Sequence, residues 1–301
     1  MKGLWPIAGV VLAGLALAAP LSGNAYLTGV AFQIAMWIAL AQSWSMLSAT
    51  TGYVSLGHAV FYGIGGYVAV LLVDAVPFPL VMLVAALAPA VFAAVIGLPV
   101  LRVRGPYFVI LTYGLSELVR HAVMRIESAL GSFGRMIFSA PTPEALLWWM
   151  VALAVAATLG AWAVRHSRFG AGLAAIREDE VAAETLGVPT ARLKLLALIA
   201  SAIIPGAVGG LAMMRTGYFE PGQAFDPVVS FTIVTMALVG GTDTVRGPVM
   251  GAIGFAVLSE LLWSSFPQLY MIVLGAALIG FVLFVPQGLS GLVDRITRRR
   301  A

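Results

Sequence analysis

The chain has 301 residues, 61% of them hydrophobic and 10% charged, with a formal net charge of +4 and a mean hydropathy of +1.00. Soluble globular domains carry about 25% charged residues, so this composition excludes that class. The absence of cysteine excludes a disulfide framework or a thiolate metal site, and the basic balance reads as membrane topology rather than nucleic-acid binding.

Continuous apolar runs of around 20 residues recur along the chain, each long enough to cross roughly 30 Å of hydrocarbon as a helix. They predict an all-α membrane protein, a polytopic helical bundle of about ten (8–10) transmembrane helices. In chain order the runs fall at 4–20, 26–48, 57–74, 76–99, 106–123, 145–164, 195–214, 228–241, 247–264 and 268–286. The first, within MKGLWPIAGVVLAGLALAAPLSGNA, has the pattern of a secretory signal, but its long apolar run favours a retained helix over a cleaved one. The third opens on the Gly-rich TGYVSLGHAVFYGIGGY and the eighth runs straight into GGTDTVRG, so both are expected to be broken or re-entrant. Pro205 is expected to kink the seventh or break its hydrogen-bond ladder. The small residues of PGAVGG (205–210) should let backbones approach closely.

With the N-terminus inside, Lys2, Arg102, Arg104, Arg165, Arg168, Arg177, Arg192, Lys194, Arg246, Arg295, Arg298, Arg299 and Arg300 fall on the inner side, 13 of the 17 basic residues. Both termini, the tail at 287–301 and the segment 165–194 are therefore expected in the cytoplasm. That segment, RHSRFGAGLAAIREDEVAAETLGVPTARLK, is a polar island. Four of the 13 acidic residues, Glu178, Asp179, Glu180 and Glu184, lie within seven of its positions. Asp179 is expected to cap a short helix from about Glu180 to Leu186, with acids at the positive end of its dipole and Gly187 and Pro189 ending it. The helix presents Val181, Ala182, Thr185 and Leu186 as small, mostly apolar contact residues. On the residues alone two readings stand: a plain surface helix between spans, or a helix shaped for a cleft on a soluble partner.

The sequence contains no GxxxxGK[ST], no GxGxxG after a strand, and no HExxH, GxSxG or paired-carboxylate pattern. No catalytic, cofactor or metal site is therefore expected, and transport driven by ATP would need an ATPase on another chain. Ionisable residues inside spans are the remaining candidates, because burying charge in hydrocarbon is costly. Glu117, Arg120 and His121 share one helix face and read as a local ion pair. Glu260, in FAVLSELLW, reads equally as a bond to a neighbouring helix or as a pathway group. Asp243, three residues before Arg246, reads as a turn capped by its own pair. His58, in SLGHAVF, reads as a hydrogen-bonded packing element, with a ligand or proton relay as the alternative.

Four segments follow one another in the order found in one family: GYVSLGHAVFYGIGGYVAVLL, LRVRGPYFVILTYGLSELVR, RHSRFGAGLAAIREDEVAAETLGVPTARLKLLAL and LVGGTDTVRGPVMGAI. The sequence resembles the LivM-type permeases of branched-chain amino acid ABC importers from about Thr51 to Leu292. AIREDEVAAETLGV is similar to the coupling segment of that family, which is related to the EAA loop of bacterial import permeases. Ala182, Ala183 and Gly187 match its AAxxxG core, while Val181 stands where the leading Glu would be.

The resemblance implies a single transmembrane permease domain over 1–301, similar in architecture to type II ABC importers and lying in the bacterial inner membrane. It implies an ATPase-coupling loop made of Arg177, Glu178, Asp179, Glu180, Ala182, Ala183, Glu184, Leu186 and Gly187. The implied partners are a LivH-type permease, two cytoplasmic ABC ATPases and a periplasmic binding protein that delivers the small-molecule substrate. Where family members commonly carry a TGGPNGI-like stretch, this chain reads MRIESALGSFGRMIFSAP. That departure bears on the substrate, since relatives also move other amino acids, amides and urea. The rival class, a stand-alone secondary transporter, requires an intramembrane ion or proton site, for which His58, Glu117 and Glu260 are the candidates.

Overall fold

Backbone in contact with lipid must satisfy its own hydrogen bonds, which leaves helices as the economical spanning element. The computed structural model describes residues 24–131, 134–265, 275 and 288–291. The first expected span, the tenth apart from residue 275, and the 287–301 tail apart from 288–291 lie outside these residues. The elements are α1 (Ala25–Thr51), α2 (His58–Leu72), α3 (Phe78–Val100), α4 (Pro106–Ala129), β1 (Arg135–Met136), α5 (Pro143–His166), α6 (Arg168–Glu178), α7 (Glu180–Thr185), α8 (Thr190–Thr216), β2 (Tyr218–Phe219), α9 (Pro221–Ala224), α10 (Pro227–Gly240) and α11 (Arg246–Ser265). Each expected span from the second to the ninth coincides with or overlaps one of these helices.

Five stretches among the described residues are long and apolar enough to cross a membrane: α1, α3, α5, α8 and the run Pro221–Gly240. The protein is thus an all-α membrane protein. The fifth expected span, α4, is not among the five. Its second half carries Glu117, Arg120, Arg125 and Glu127.

Local chemistry sets the helix limits. Asn24, Thr142 and Asp226 cap α1, α5 and α10 through side-chain oxygens that accept first-turn N–H groups. Glycines with positive φ, Gly52 at +78° and Gly217 at +69°, end α1 and α8.

Helices α1 and α8 form the middle of the bundle. The first packs on α5, α8, α10 and α11, the second on α2 and α3 as well. Ile38, Trp44, Leu147, Met150 and Leu211 fill the space between them. On α3 the opposite face is open, Val95 being 72% exposed. That is the side suited to lipid, whose tails are as apolar as the side chain.

Two seams are made by backbone alone. A Cβ on Gly65 of α2 would lie 2.1 Å from the Gly206 carbonyl oxygen of α8, and one on Gly209 would lie 2.0 Å from the Tyr62 carbonyl oxygen. On its other side Gly206 abuts the Ala85 carbonyl oxygen of α3, at 2.3 Å from the position of a Cβ. The second seam joins α10 to α11, where a Cβ on Gly240 would lie 1.8 Å from the Gly247 carbonyl oxygen. The expected close approach at PGAVGG is therefore present. At Pro205 the helix continues, α8 running as one from Thr190 to Thr216, so the ladder is interrupted there without ending the helix. The missing N–H leaves one carbonyl without its ladder partner, which a helix this well packed tolerates.

The third and eighth spans each hold one short helix, and the expected break lies just before it. Helix α2 has 15 residues and follows the non-helical segment 52–57; α10 has 14 and follows the four-residue α9. Side chains from other helices satisfy the exposed backbone of the break. Thr112 accepts from Leu56 N–H at 3.1 Å, Ser116 donates to the Leu56 carbonyl at 3.1 Å, and Trp44 Nε1 donates to the Ser55 carbonyl at 2.9 Å. Ser230 of α10 accepts from Ala59 N–H at 2.8 Å, which ties the two short helices together.

Candidate functional site

The 165–194 segment is a compact two-helix cap on one end of the bundle. Ser167 accepts from Gly170 N–H at 3.1 Å and opens α6. Leu173 and Ile176 on the inner face of α6 join a second core with Leu47, Val100, Leu101, Phe108 and Leu198, drawn from α1, α3, α4 and α8. Asp179, in extended backbone, ends α6 and caps α7 by accepting from Val181 and Ala182 N–H at 2.8 and 3.0 Å.

Helix α7 stops because Gly187 turns left-handed, φ +84°. Gly187 N–H then reaches the Glu184 carbonyl and Val188 N–H the Ala183 carbonyl, both at 3.0 Å. These two bonds form a Schellman motif, and the C-terminal apolar contact that accompanies it is supplied by Ala183 and Val188 in the second core. The AAxxxG spacing thus has a local cause: a small buried residue at Ala183 and a left-handed one four positions later.

The structure sorts the sequence-derived residues of this segment. Val181 (58% exposed) and Leu186 (83%) stand in the open. Glu178, Asp179, Ala182, Glu184, Thr185 and Gly187 are exposed beside them. Ala183, at 2% exposure, is core and offers no contact. Arg177 turns sideways, donating to the Ala49 carbonyl at the end of α1 at 2.9 Å and meeting the Asp243 carboxylate at 3.3 Å. Asp243, read from spacing with Arg246, thus also meets Arg177 from a distant part of the chain. Arg165 donates to the Asp243 carbonyl at 2.7 Å and to that of Thr242, so the α10–α11 turn is clamped to the same end of the bundle.

Glu180 also departs from its expected place on the surface. Its side chain is 11% exposed and receives Lys194 Nζ at 2.8 Å and Arg104 Nη2 at 3.2 Å on one oxygen, and the Tyr53 hydroxyl on the other. Burial pushes the Glu180 carboxyl upward, but the hydrogen bonds from Lys194 and Tyr53 and the nearby cations outweigh it and hold the group below the ordinary carboxylate range. Lys194, expected in the loop, lies instead near the start of α8 with a side chain 4% exposed.

Of the intramembrane candidates, Glu117 meets Arg120 at 3.6 Å and His121 at 3.4 Å, the local cluster that spacing predicted. Glu260 accepts from the Tyr26 hydroxyl at 2.6 Å, a bond between α11 and α1, which favours the helix-bonding reading. His58 corrects its expectation. It is fully buried and rests edge-on against Phe61 at 5.6 Å, yet among the described residues neither ring nitrogen has a hydrogen-bond partner.

Two polar groups escaped the sequence reading. Gln42 and Ser43 of α1 donate to the Val245 and Ser201 carbonyls, both at 2.6 Å, and the signal for them was the polar run QSWS inside an apolar span. At the far end of α4, buried Glu127 holds Arg135 at 2.9 Å and the Tyr67 hydroxyl at 2.5 Å, and so anchors the β1–β2 ladder, Arg135 opposite Phe219.

An apolar bundle with two discontinuous helices, a hydroxyl-rich interior and a firmly capped exposed helix has the build of a transport permease. Residues 26–282 match the family described as branched-chain amino acid transport system / permease component, and the chain belongs to that family. It is similar to the high-affinity branched-chain amino acid transport system permease protein LivM of Escherichia coli K12, 28% identical over 93% of this chain and 73% of the relative. LivM of Salmonella typhimurium LT2 is also 28% identical, over 86% of this chain and 69% of its own length. LivH of the same organism is 27% identical over 61% of this chain and 59% of its own. No solved structure matches the chain significantly. The resemblance to LivM-type permeases that the sequence carried is thus borne out.

Proposed function

We propose that the chain is one of two membrane-spanning subunits of an ATP-driven importer for branched-chain or related amino acids. It pairs with a LivH-type permease in the bacterial inner membrane, with both termini and the α6–α7 cap in the cytoplasm. Two separate ATPases dock on the cap, a periplasmic binding protein delivers substrate to the opposite face, and substrate moves by alternating access.

The observation that carries this reading is α7. A six-residue helix fixed at both ends by Asp179 and Gly187 holds Val181, Ala182, Glu184, Thr185 and Leu186 outward, while Ala183 roots it in the bundle. An exposed apolar and acidic face on so rigid a support suits a cleft on a soluble partner. Discontinuous α2 and α10 supply the irregular backbone that transporters tolerate around a passage. Buried, unpartnered His58 stands beside the break as the candidate passage group. Glu117 and Glu260, both already bonded within the bundle, are poor ion sites for a stand-alone carrier.

The test is reconstitution of the complete importer, binding protein included, with Leu186→Asp and Glu184→Arg. Transport is expected to fall to background as the ATPases cease to co-purify, with the permease still in the membrane. Normal uptake and normal ATPase recovery would remove the docking assignment. A panel of amino acids, urea and short amides presented with the cognate binding protein separates the amino-acid reading from its alternative, a urea or amide permease.

A further inference from the structure

The cap has an inner side as well as an outer one, and its inner side is charged. Glu180 is the first residue of α7, yet its carboxylate turns into the bundle rather than toward solvent. Its three partners come from three different elements. Lys194 belongs to α8, Arg104 to the α3–α4 connection, and Tyr53 to the start of the 52–57 break that leads into α2.

The Lys194 ammonium has three protons and three acceptors: Glu180 at 2.8 Å, the Tyr53 hydroxyl at 3.2 Å and the Leu101 carbonyl, just past the end of α3, at 3.2 Å. It also lies 4.7 Å from the centre of the Tyr53 ring. The Tyr53 ring in turn packs edge-on against Phe108 of α4 at 5.1 Å.

Two features set this cluster apart from a packing device. A buried ion pair contributes little net stability compared with apolar residues of the same volume, while its directional bonds fix one arrangement. Separating the pair would strand two charges in a poorly solvated place, so α7 resists moving without its partners. One of those partners, Tyr53, is the handle of a segment whose middle is bonded through side chains, those of Ser48, Thr112 and Ser116 among them.

We infer that Glu180, Lys194, Tyr53 and Arg104 form a tie that transmits displacement of α7 to the 52–57 break and to α8. Glu180 and Lys194 are positioning residues that touch neither ATPase nor substrate. The inference rests on the docking role proposed for the outer face of α7, and it assigns the inner face a separate duty.

The experiment uses the reconstituted importer with Tyr53→Phe, Glu180→Gln and Lys194→Met. Three quantities are read: ATPase co-purification, ATP hydrolysis stimulated by loaded binding protein, and substrate moved per ATP hydrolysed. Tyr53→Phe keeps the ring against Phe108 and removes only the hydroxyl, so it remains informative where a charge variant fails to accumulate.

All three variants are expected to retain their ATPases, while substrate moved per ATP falls about ten-fold. The double variant Glu180→Gln/Lys194→Met should be no worse than the poorer single one. A wild-type transport ratio in Tyr53→Phe and Glu180→Gln would overturn the tie. Loss of ATPase co-purification in the same variants would also overturn it, by showing that the cluster only shapes the docking face. If Leu186→Asp binds ATPases normally while the tie variants uncouple, the docking assignment falls instead.

Discussion

Substituting Gly65 by alanine tests the backbone seam at the middle of the bundle. The added Cβ would meet the Gly206 carbonyl oxygen at 2.1 Å, its Cα at 2.3 Å and its carbonyl carbon at 2.4 Å, whereas real Cβ contacts essentially never fall below 3.0 Å. Helices α2 and α8 would therefore have to part by roughly 0.9 Å, through a region whose attraction is a sum of close dispersion contacts. Retreat of α8 is blocked, because Gly206 already abuts the Ala85 carbonyl and Pro89 of α3. Overpacking ordinarily costs about 1–3 kcal/mol, and a clash with backbone on both sides belongs at the upper end. In a chain of this size about 3 kcal/mol lowers Tm by roughly 6–12 °C. The control is Gly114→Ala in α4, where a Cβ meets nothing within 4 Å and the backbone gains about 0.5–1 kcal/mol. Thermal unfolding of the purified permease in detergent, at a fixed scan rate, reads both variants. A Gly65→Ala midpoint within about 2 °C of the parent refutes the backbone-contact argument.

The remaining predictions concern single groups. His58→Leu removes two buried ring nitrogens that lack partners, so Tm is expected to hold or rise by a few degrees, and a clear fall would reveal a partner for the ring. Glu127→Gln discharges a buried carboxylate that holds Arg135 and Tyr67. It is expected to cost about 3 kcal/mol and to free the β1–β2 ladder, read as faster hydrogen exchange at residues 135–137 and 217–219. Gly187→Ala meets no steric obstacle but must adopt φ +84°, so about 1–2 kcal/mol of local strain should fray α7, while Gly187→Asn is milder. Exchange of the Leu186 and Gly187 amides measures that fraying, and unchanged protection would contradict it.

What the sequence disclosed was whatever is written locally. Apolar runs had to be spans because lipid offers the backbone no partner, and the long helices α1 to α5, α8, α10 and α11 fall within or over them. Asp179 and Gly187 were legible for the same reason, since a cap and a left-handed stop act over four or five positions. The bonds that give the cap its inner face were not. Tyr53 and Glu180 lie 127 positions apart and Arg177 and Asp243 lie 66 apart, and no spacing rule spans such distances. Lys194 misled because a lysine beside a loop reads as solvated, while its four-carbon stem here carries the ammonium down to Glu180 and Leu101. The isolation of His58 was likewise a fact of its surroundings. The Gln42–Ser45 run was readable in principle, because polar residues in a span need partners inside the bundle.

The glycine seams constrain how such a bundle can rearrange. Surfaces formed by touching backbones have no side chains to swing aside, so α2, α3 and α8 form one block and α10 with α11 another. Between them runs α1, joined to the second block by the Gln42 bond to Val245 and to the first by the Ser43 bond to Ser201. Bonds from flexible polar side chains to carbonyls can be handed to a neighbouring carbonyl one turn away without a large barrier. The polar bonds of Gln42 and Ser43 on α1, and that of Ser230 with Ala59 N–H, therefore join the blocks, while the glycines mark where helices touch too closely to slide.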